Sequence, residues 1–131
     1  MALVRVERTD DGFVARNDRG AEVAIGGDEQ GVFTPVELLL AALGGCNIVT
    51  VEPLTAQRGH RLARLAMTVQ AEKVEPTLLG TITVTYDVEY PEGDEKAAEV
   101  FRAVAQRVED KYCTVSRALR EKSEISLELP E

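Results

Sequence analysis

Three short stretches near the start of the chain are rich in Val, Ile and Phe: Leu3 to Arg8, Phe13 to Arg16 and Glu22 to Ile25. Asp10-Asp11-Gly12 and Asn17-Asp18-Arg19-Gly20 separate them, and Asp, Asn and Gly are the residues that tight hairpin turns require. The pattern predicts a meander of antiparallel strands. After a glycine-containing loop at residues 26–33, a helix opens with a full set of start signals. Thr34 is an N-cap residue, Pro35 suits the first helical position and Glu37 stands at N3, which makes a capping box with a proline at N1. From Val36 to Val51 the helix is apolar almost all round, so most of its sides should be covered. Gly44 and Gly45 sit in its middle, each costing about 1 kcal/mol of helix propensity relative to Ala. Another group is therefore expected to approach the backbone there. Pro53 has no N–H for the carbonyl of Val49 and is expected to kink or end the helix.

Two longer strands follow. Leu65, Met67, Val69 and Ala71 alternate with polar or small residues, and Ile82, Val84, Tyr86, Val88 and Tyr90 do so more regularly. With Glu75-Pro76-Thr77 between them, they predict a hairpin with one buried face. Asp94 is placed to cap a second helix, whose apolar stripe is Ala97, Val100, Phe101, Val104 and Val108. Tyr112-Cys113-Thr114 interrupts, Val115 to Lys122 predicts a short third helix, and Ile125, Leu127 and Leu129 predict a last strand. The expected fold is α+β, with antiparallel sheets around a buried central helix, in one domain over residues 1–131.

Composition narrows the function. The chain has 131 residues with 44% hydrophobic and 29% charged, the balance of a globular protein. Its 23 acidic against 15 basic residues give a net charge of −8. That sign works against nucleic acid as a partner and against an anionic membrane surface. The N-terminal segment lacks the apolar core of a signal peptide, and residues 35–51 read as too short and too interrupted to span a membrane. The expected compartment is the cytoplasm, where two cysteines are normally thiols.

The usual catalytic signatures are missing. The one histidine, His60, stands between Gly59 and Arg61, and no CxxC or HxxxH pair suggests a metal site. No phosphate-binding glycine fingerprint and no GxSxG elbow occur. Neither a metal nor an organic cofactor is expected. The cysteines remain: Cys46 inside the apolar helix, and Cys113 at the start of the short third helix, where unpaired backbone N–H groups favour a thiolate. Free cysteine is also a common small core residue.

The run Thr34-Pro35-Val36-Glu37-Leu38 through Leu43-Gly44-Gly45-Cys46, followed by Lys111-Tyr112-Cys113-Thr114-Val115-Ser116, resembles the OsmC/Ohr family of osmotically inducible and organic hydroperoxide resistance proteins. The resemblance covers nearly the whole chain and is nearest to an OsmC-like branch with a G-G-C helix and a K-Y-C-x-V motif. It implies an intertwined homodimer with the active sites at the subunit interface. It also implies thiol peroxidation of organic hydroperoxides, with hydrogen peroxide as a further candidate substrate. Cys46 would be the peroxidatic residue, Cys113 the resolving one, and an external dithiol the reductant. The family's best-characterised members carry a Glu ten residues before the first Cys, where this chain has Val36. Glu37 is the nearest carboxylate to that position. The family's activating Arg has no clear match here; Asp10 stands at its place, and Arg16 and Arg19 are among the nearby candidates. Two other readings stay open: a non-catalytic member binding an apolar ligand at the interface, and a thiol-redox protein acting on disulfides or electrophiles.

Overall fold

The hairpin chemistry at the start of the chain produces the predicted meander. β1 (Arg5–Thr9), β2 (Gly12–Arg16) and β3 (Glu22–Ile25) pair in that order, antiparallel, with Val6 opposite Ala15 and Val14 opposite Ala24. The computed structural model describes residues 1–130 and divides into two compact units, residues 1–41 and residues from 42 onward. The first unit holds this sheet, the loop after it and the opening turns of α1 (Pro35–Gln57). The capping box is formed as read: Glu37 N donates to Thr34 Oγ1 at 3.1 Å, and Thr34 N donates to Glu37 Oε1 at 2.8 Å.

Of the two outcomes expected at Pro53, the ending is excluded, and the reading of the apolar run as too short to span a membrane is corrected. The helix runs through Pro53 to Gln57, 23 residues in all. The carbonyl that Pro53 leaves without its donor belongs to Val49, which is 67% exposed. Tertiary contacts made by Val51, Leu54 and Thr55 hold the turns on either side. At this length the helix is long and apolar enough to cross a membrane by length and composition, although core helices pass the same test. Only 28% of its most apolar window is buried within the chain.

The second unit is built on β4 (Arg64–Glu75) and β5 (Leu78–Glu89), an antiparallel hairpin turning at Pro76-Thr77. Leu65 pairs with Val88, Met67 with Tyr86 and Val69 with Val84. Leu65, Val69, Val84, Tyr86 and Val88 pack against a core of Leu43, Val51, Leu62, Phe101, Val104, Val108 and Cys113. Gly44 marks the close approach expected of it: a Cβ there would meet Val69 Cγ2 at 2.9 Å and Met67 Sδ at 3.1 Å. Gly45 differs, since a Cβ there would meet nothing within 4 Å in this chain.

α2 (Ala97–Arg107) shows the predicted stripe, and Phe101 meets Tyr86 edge-on with centroids 5.1 Å apart. Asp94 Oδ1 accepts from Lys96 N in the turn ahead of it, and Asp94 Oδ2 pairs with His60 Nδ1 at 2.6 Å. A π-helical turn at Val108–Tyr112 then joins α2 to α3 (Thr114–Arg120). The last predicted strand is absent. Residues 123–130 have no regular structure, and Ile125, Leu127 and Leu129 are 94%, 79% and 75% exposed. A strand needs a hydrogen-bonding neighbour, and none of the described residues supplies one.

Candidate dithiol site

Two elements far apart in sequence bring the cysteines together. Cys46 rides on α1, two turns before Pro53, and is half-buried. Cys113 follows the π turn, where its own N–H donates to the carbonyl of Val108 at 2.8 Å. That five-residue bond is the extra width of a π turn, a feature often found at functional sites. It delivers Cys113 as the N-cap of α3 and buries it completely. Cys113 Sγ accepts from Ser116 N at 3.4 Å and from Asn47 Nδ2 at 3.5 Å. Both cysteines are free thiols.

Burial pushes the Cys113 pKa up to about 11, with a hydrogen bond to Cys46, the Cys46 charge and the Glu109 charge adding to it; the Ser116 N–H acts the other way. The Cys113 thiol therefore stays protonated beside Cys46.

The surroundings are polar on one side. Asn47 is 1% exposed, and its Nδ2 also donates to the carbonyl of Leu43 at 3.1 Å. Ser116 Oγ donates to Glu109 Oε2, and Arg120 Nη2 pairs with that oxygen at 3.2 Å. Tyr86 presents a buried hydroxyl with no hydrogen-bond partner among the described residues. Burial, then the charges of Glu109 and Cys113, push its pKa up to about 12, so it stays a protonated phenol.

The remaining sequence candidates have structural partners in the first unit. Glu37 is exposed and serves the capping box. Arg16 is bonded by Glu7 and Glu22 across the meander, the Glu22 bond foremost in raising its pKa. Arg19 is exposed in the β2–β3 turn and pairs with Asp18 at 3.4 Å. Sequence reasoning missed Asn47, Ser116 and Glu109. Asn47 had a visible signal, a polar residue in an apolar helix next to the cysteine. Ser116 and Glu109 had none, because the π turn that joins them leaves no periodic trace.

Known proteins resemble this chain in sequence and in fold. Residues 26–128 match the family described as OsmC-like protein. An uncharacterized protein of Mycobacterium tuberculosis (strain ATCC 25618 / H37Rv) is 30% identical over 132 residues, covering 98% of this chain and 96% of its own. The crystal structure of an OsmC-like protein from Mycoplasma pneumoniae superposes with a TM-score of 0.70 at 18% identity, over 92% of this chain and 87% of that one. A Legionella pneumophila structure, titled an organic hydroperoxide resistance protein OsmC and predicted redox protein, gives 0.60 at 18% identity, over 92% and 89%. The fold is the α+β, antiparallel OsmC-like fold, and the chain belongs to the OsmC-like protein family.

Proposed function

We propose that the protein is a cysteine-based peroxidase that reduces organic hydroperoxides in the cytoplasm. Cys46 thiolate attacks the distal oxygen of the hydroperoxide; the O–O bond breaks, and the leaving alkoxide takes a proton to become the alcohol. Cys46 is left as a sulfenic acid. Cys113 displaces its hydroxyl as water and forms the Cys46–Cys113 disulfide. An external dithiol returns both thiols by exchange and is itself oxidised to a disulfide. The observation that carries this reading is the meeting of two cysteines 67 positions apart, one half-buried and one buried, near enough that Cys46 helps raise the Cys113 pKa. Glu37 is the candidate carboxylate and Arg16 or Arg19 the candidate cation of this site, each also bonded within residues 1–41.

The active form in this reading is a homodimer of single-domain chains. The family match crosses the boundary between the two compact units, which supports one domain over residues 1–131. The incompletely covered α1 supports a second copy against it. Glu37, Asn47 and Glu52 on that helix, and the burial of Leu43, Val51 and Thr55, favour a helix internal to the protein over a membrane anchor.

The test is intact mass after stoichiometric cumene hydroperoxide. The reduced protein should lose two hydrogens, and Cys113→Ser should trap a sulfenic acid on Cys46. Thiols that stay titratable would sink the peroxidase. They would favour the ligand-binding reading, for which an apolar groove beside α1, lined by Val49, Pro53, Leu54 and Val104, is the supporting observation. Oxidation by disulfides but not by hydroperoxide would point to the thiol-redox reading instead.

A further inference from the structure

A disulfide between Cys46 and Cys113 presents two different sulfurs to a reductant. Cys113 is 0% exposed, whereas Cys46 is half-buried. Thiol–disulfide exchange needs the attacking thiolate in line with an accessible sulfur, and it runs faster when the departing sulfur is stabilised as a thiolate. Access alone directs the reductant to Cys46 and makes Cys113 the leaving group. A sulfur leaving into a buried site would be a poor one, because burial disfavours its charge. The site answers this with two N–H donors already aimed at Cys113 Sγ: Ser116 N at 3.4 Å and Asn47 Nδ2 at 3.5 Å. Asn47 is itself 1% exposed, and its second amide hydrogen is held by the carbonyl of Leu43, so the donor is fixed in direction.

We propose that Asn47 is a positioning residue for the reductive half of the cycle: with the Ser116 N–H it stabilises Cys113 as the departing thiolate, so that the external thiol attacks Cys46 and the mixed disulfide forms there. The step balances. The thiolate of the reductant bonds to Cys46 Sγ, the Cys46–Cys113 bond breaks, and its electron pair leaves on Cys113 Sγ. The second thiolate of the dithiol then attacks its own sulfur in the mixed disulfide, releasing Cys46 thiolate and the oxidised dithiol. While the mixed disulfide stands, Cys46 carries no charge, so the influence of its charge in holding Cys113 protonated is gone. The inference rests on the peroxidase reading only in requiring the intramolecular disulfide.

The disulfide is therefore made with diamide, independently of any peroxide. The oxidised full-length protein is mixed with reduced glutathione, quenched with iodoacetamide and mapped by peptide mass. Glutathione on Cys46 with a carbamidomethyl group on Cys113 is the expected result. Glutathione on Cys113, or no disulfide after diamide, overturns the inference. A disulfide that forms with diamide but not with cumene hydroperoxide overturns the peroxidase reading alone. Asn47→Leu, similar in size and without a donor, should slow the first exchange step by about tenfold, the lower range for a hydrogen bond to a charged group. It should also move the alkylation of Cys113 to higher pH. A purely structural role for Asn47 gives the opposite sign, because loosened packing exposes Cys113 and speeds its alkylation. The position of glutathione in the parent protein decides the direction of attack even where Asn47→Leu does not fold.

Discussion

Cys113 ties local chemistry to stability. It keeps its proton in the folded chain up to about 11, against an ordinary thiol value of 9.0. Between those values the folded state binds more protons than the unfolded state, so stability must fall as pH rises through that window. Below 9.0 the thiol is neutral in both states and the effect is absent. Cys113→Ala should remove this part of the slope, which the difference between urea midpoints of parent and variant below 9.0 and near 11 would read directly. Equal slopes in the two proteins would mean that Cys113 ionises freely. Tyr86 makes the converse case. Its hydroxyl is buried without a partner among the described residues, while its ring keeps the edge contact with Phe101. Removing an unsatisfied buried hydroxyl relieves a desolvation cost, so Tyr86→Phe should raise stability by up to about 1 kcal/mol. A lower melting temperature would show that the hydroxyl has a partner this chain alone does not supply.

At the scale of elements, the two glycines of α1 separate helix propensity from packing. Both gain about 1 kcal/mol of helix propensity when changed to Ala. At Gly44 the new methyl would stand 2.9 Å from Val69 Cγ2 and 3.1 Å from Met67 Sδ, so β4 must give way. Overpacking of that kind costs roughly 1–3 kcal/mol, and Gly44→Ala should be destabilising on balance. Gly45→Ala meets open space and should stabilise the chain by up to about 1 kcal/mol. A loss at Gly45, seen in thermal melts, would place something outside this chain against that position. The same elements show what a sequence can and cannot disclose. Turn residues and the apolar runs between them located β3 to the residue and β2 to within one, because those signals are local. The capping box located the start of α1 for the same reason. Pro53 left open whether the helix stops there, because its effect is local, while the buried Val51 and Thr55 and the partly buried Leu54 carry the helix past it. The two cysteines were visible as a resemblance, but the site around them was not. It depends on a π turn at Val108–Tyr112, which no repeat in the sequence announces.

The whole molecule carries more apolar surface than one chain covers. Ile125, Leu127 and Leu129 alternate with Glu124, Ser126 and Glu128, so a strand here would have one apolar face, yet all three are exposed and unpaired among the described residues. Val4 and Val6, at and just before the edge strand β1, are also exposed, at 65% and 59%. Natural proteins rarely leave an alternating apolar segment and a free sheet edge open to solvent, because each templates pairing with another chain. In the proposed dimer, residues 124–129 become a strand on a sheet edge of the second copy, with backbone hydrogen bonds giving affinity and the apolar face giving register. Ending the chain at Ser123 should then weaken self-association, as should Leu127→Asp, which leaves the backbone in place but puts a charge on the face to be buried. Sedimentation over a dilution series would read the change as a shift from twice 14.3 kDa toward 14.3 kDa at concentrations where the parent stays paired. Circular dichroism should show the helices retained, since none of α1, α2 or α3 includes the altered residues. A truncated chain that remains as strongly paired as the parent would assign the contact to α1 alone, whose partly open apolar surface would then have to supply the whole interface.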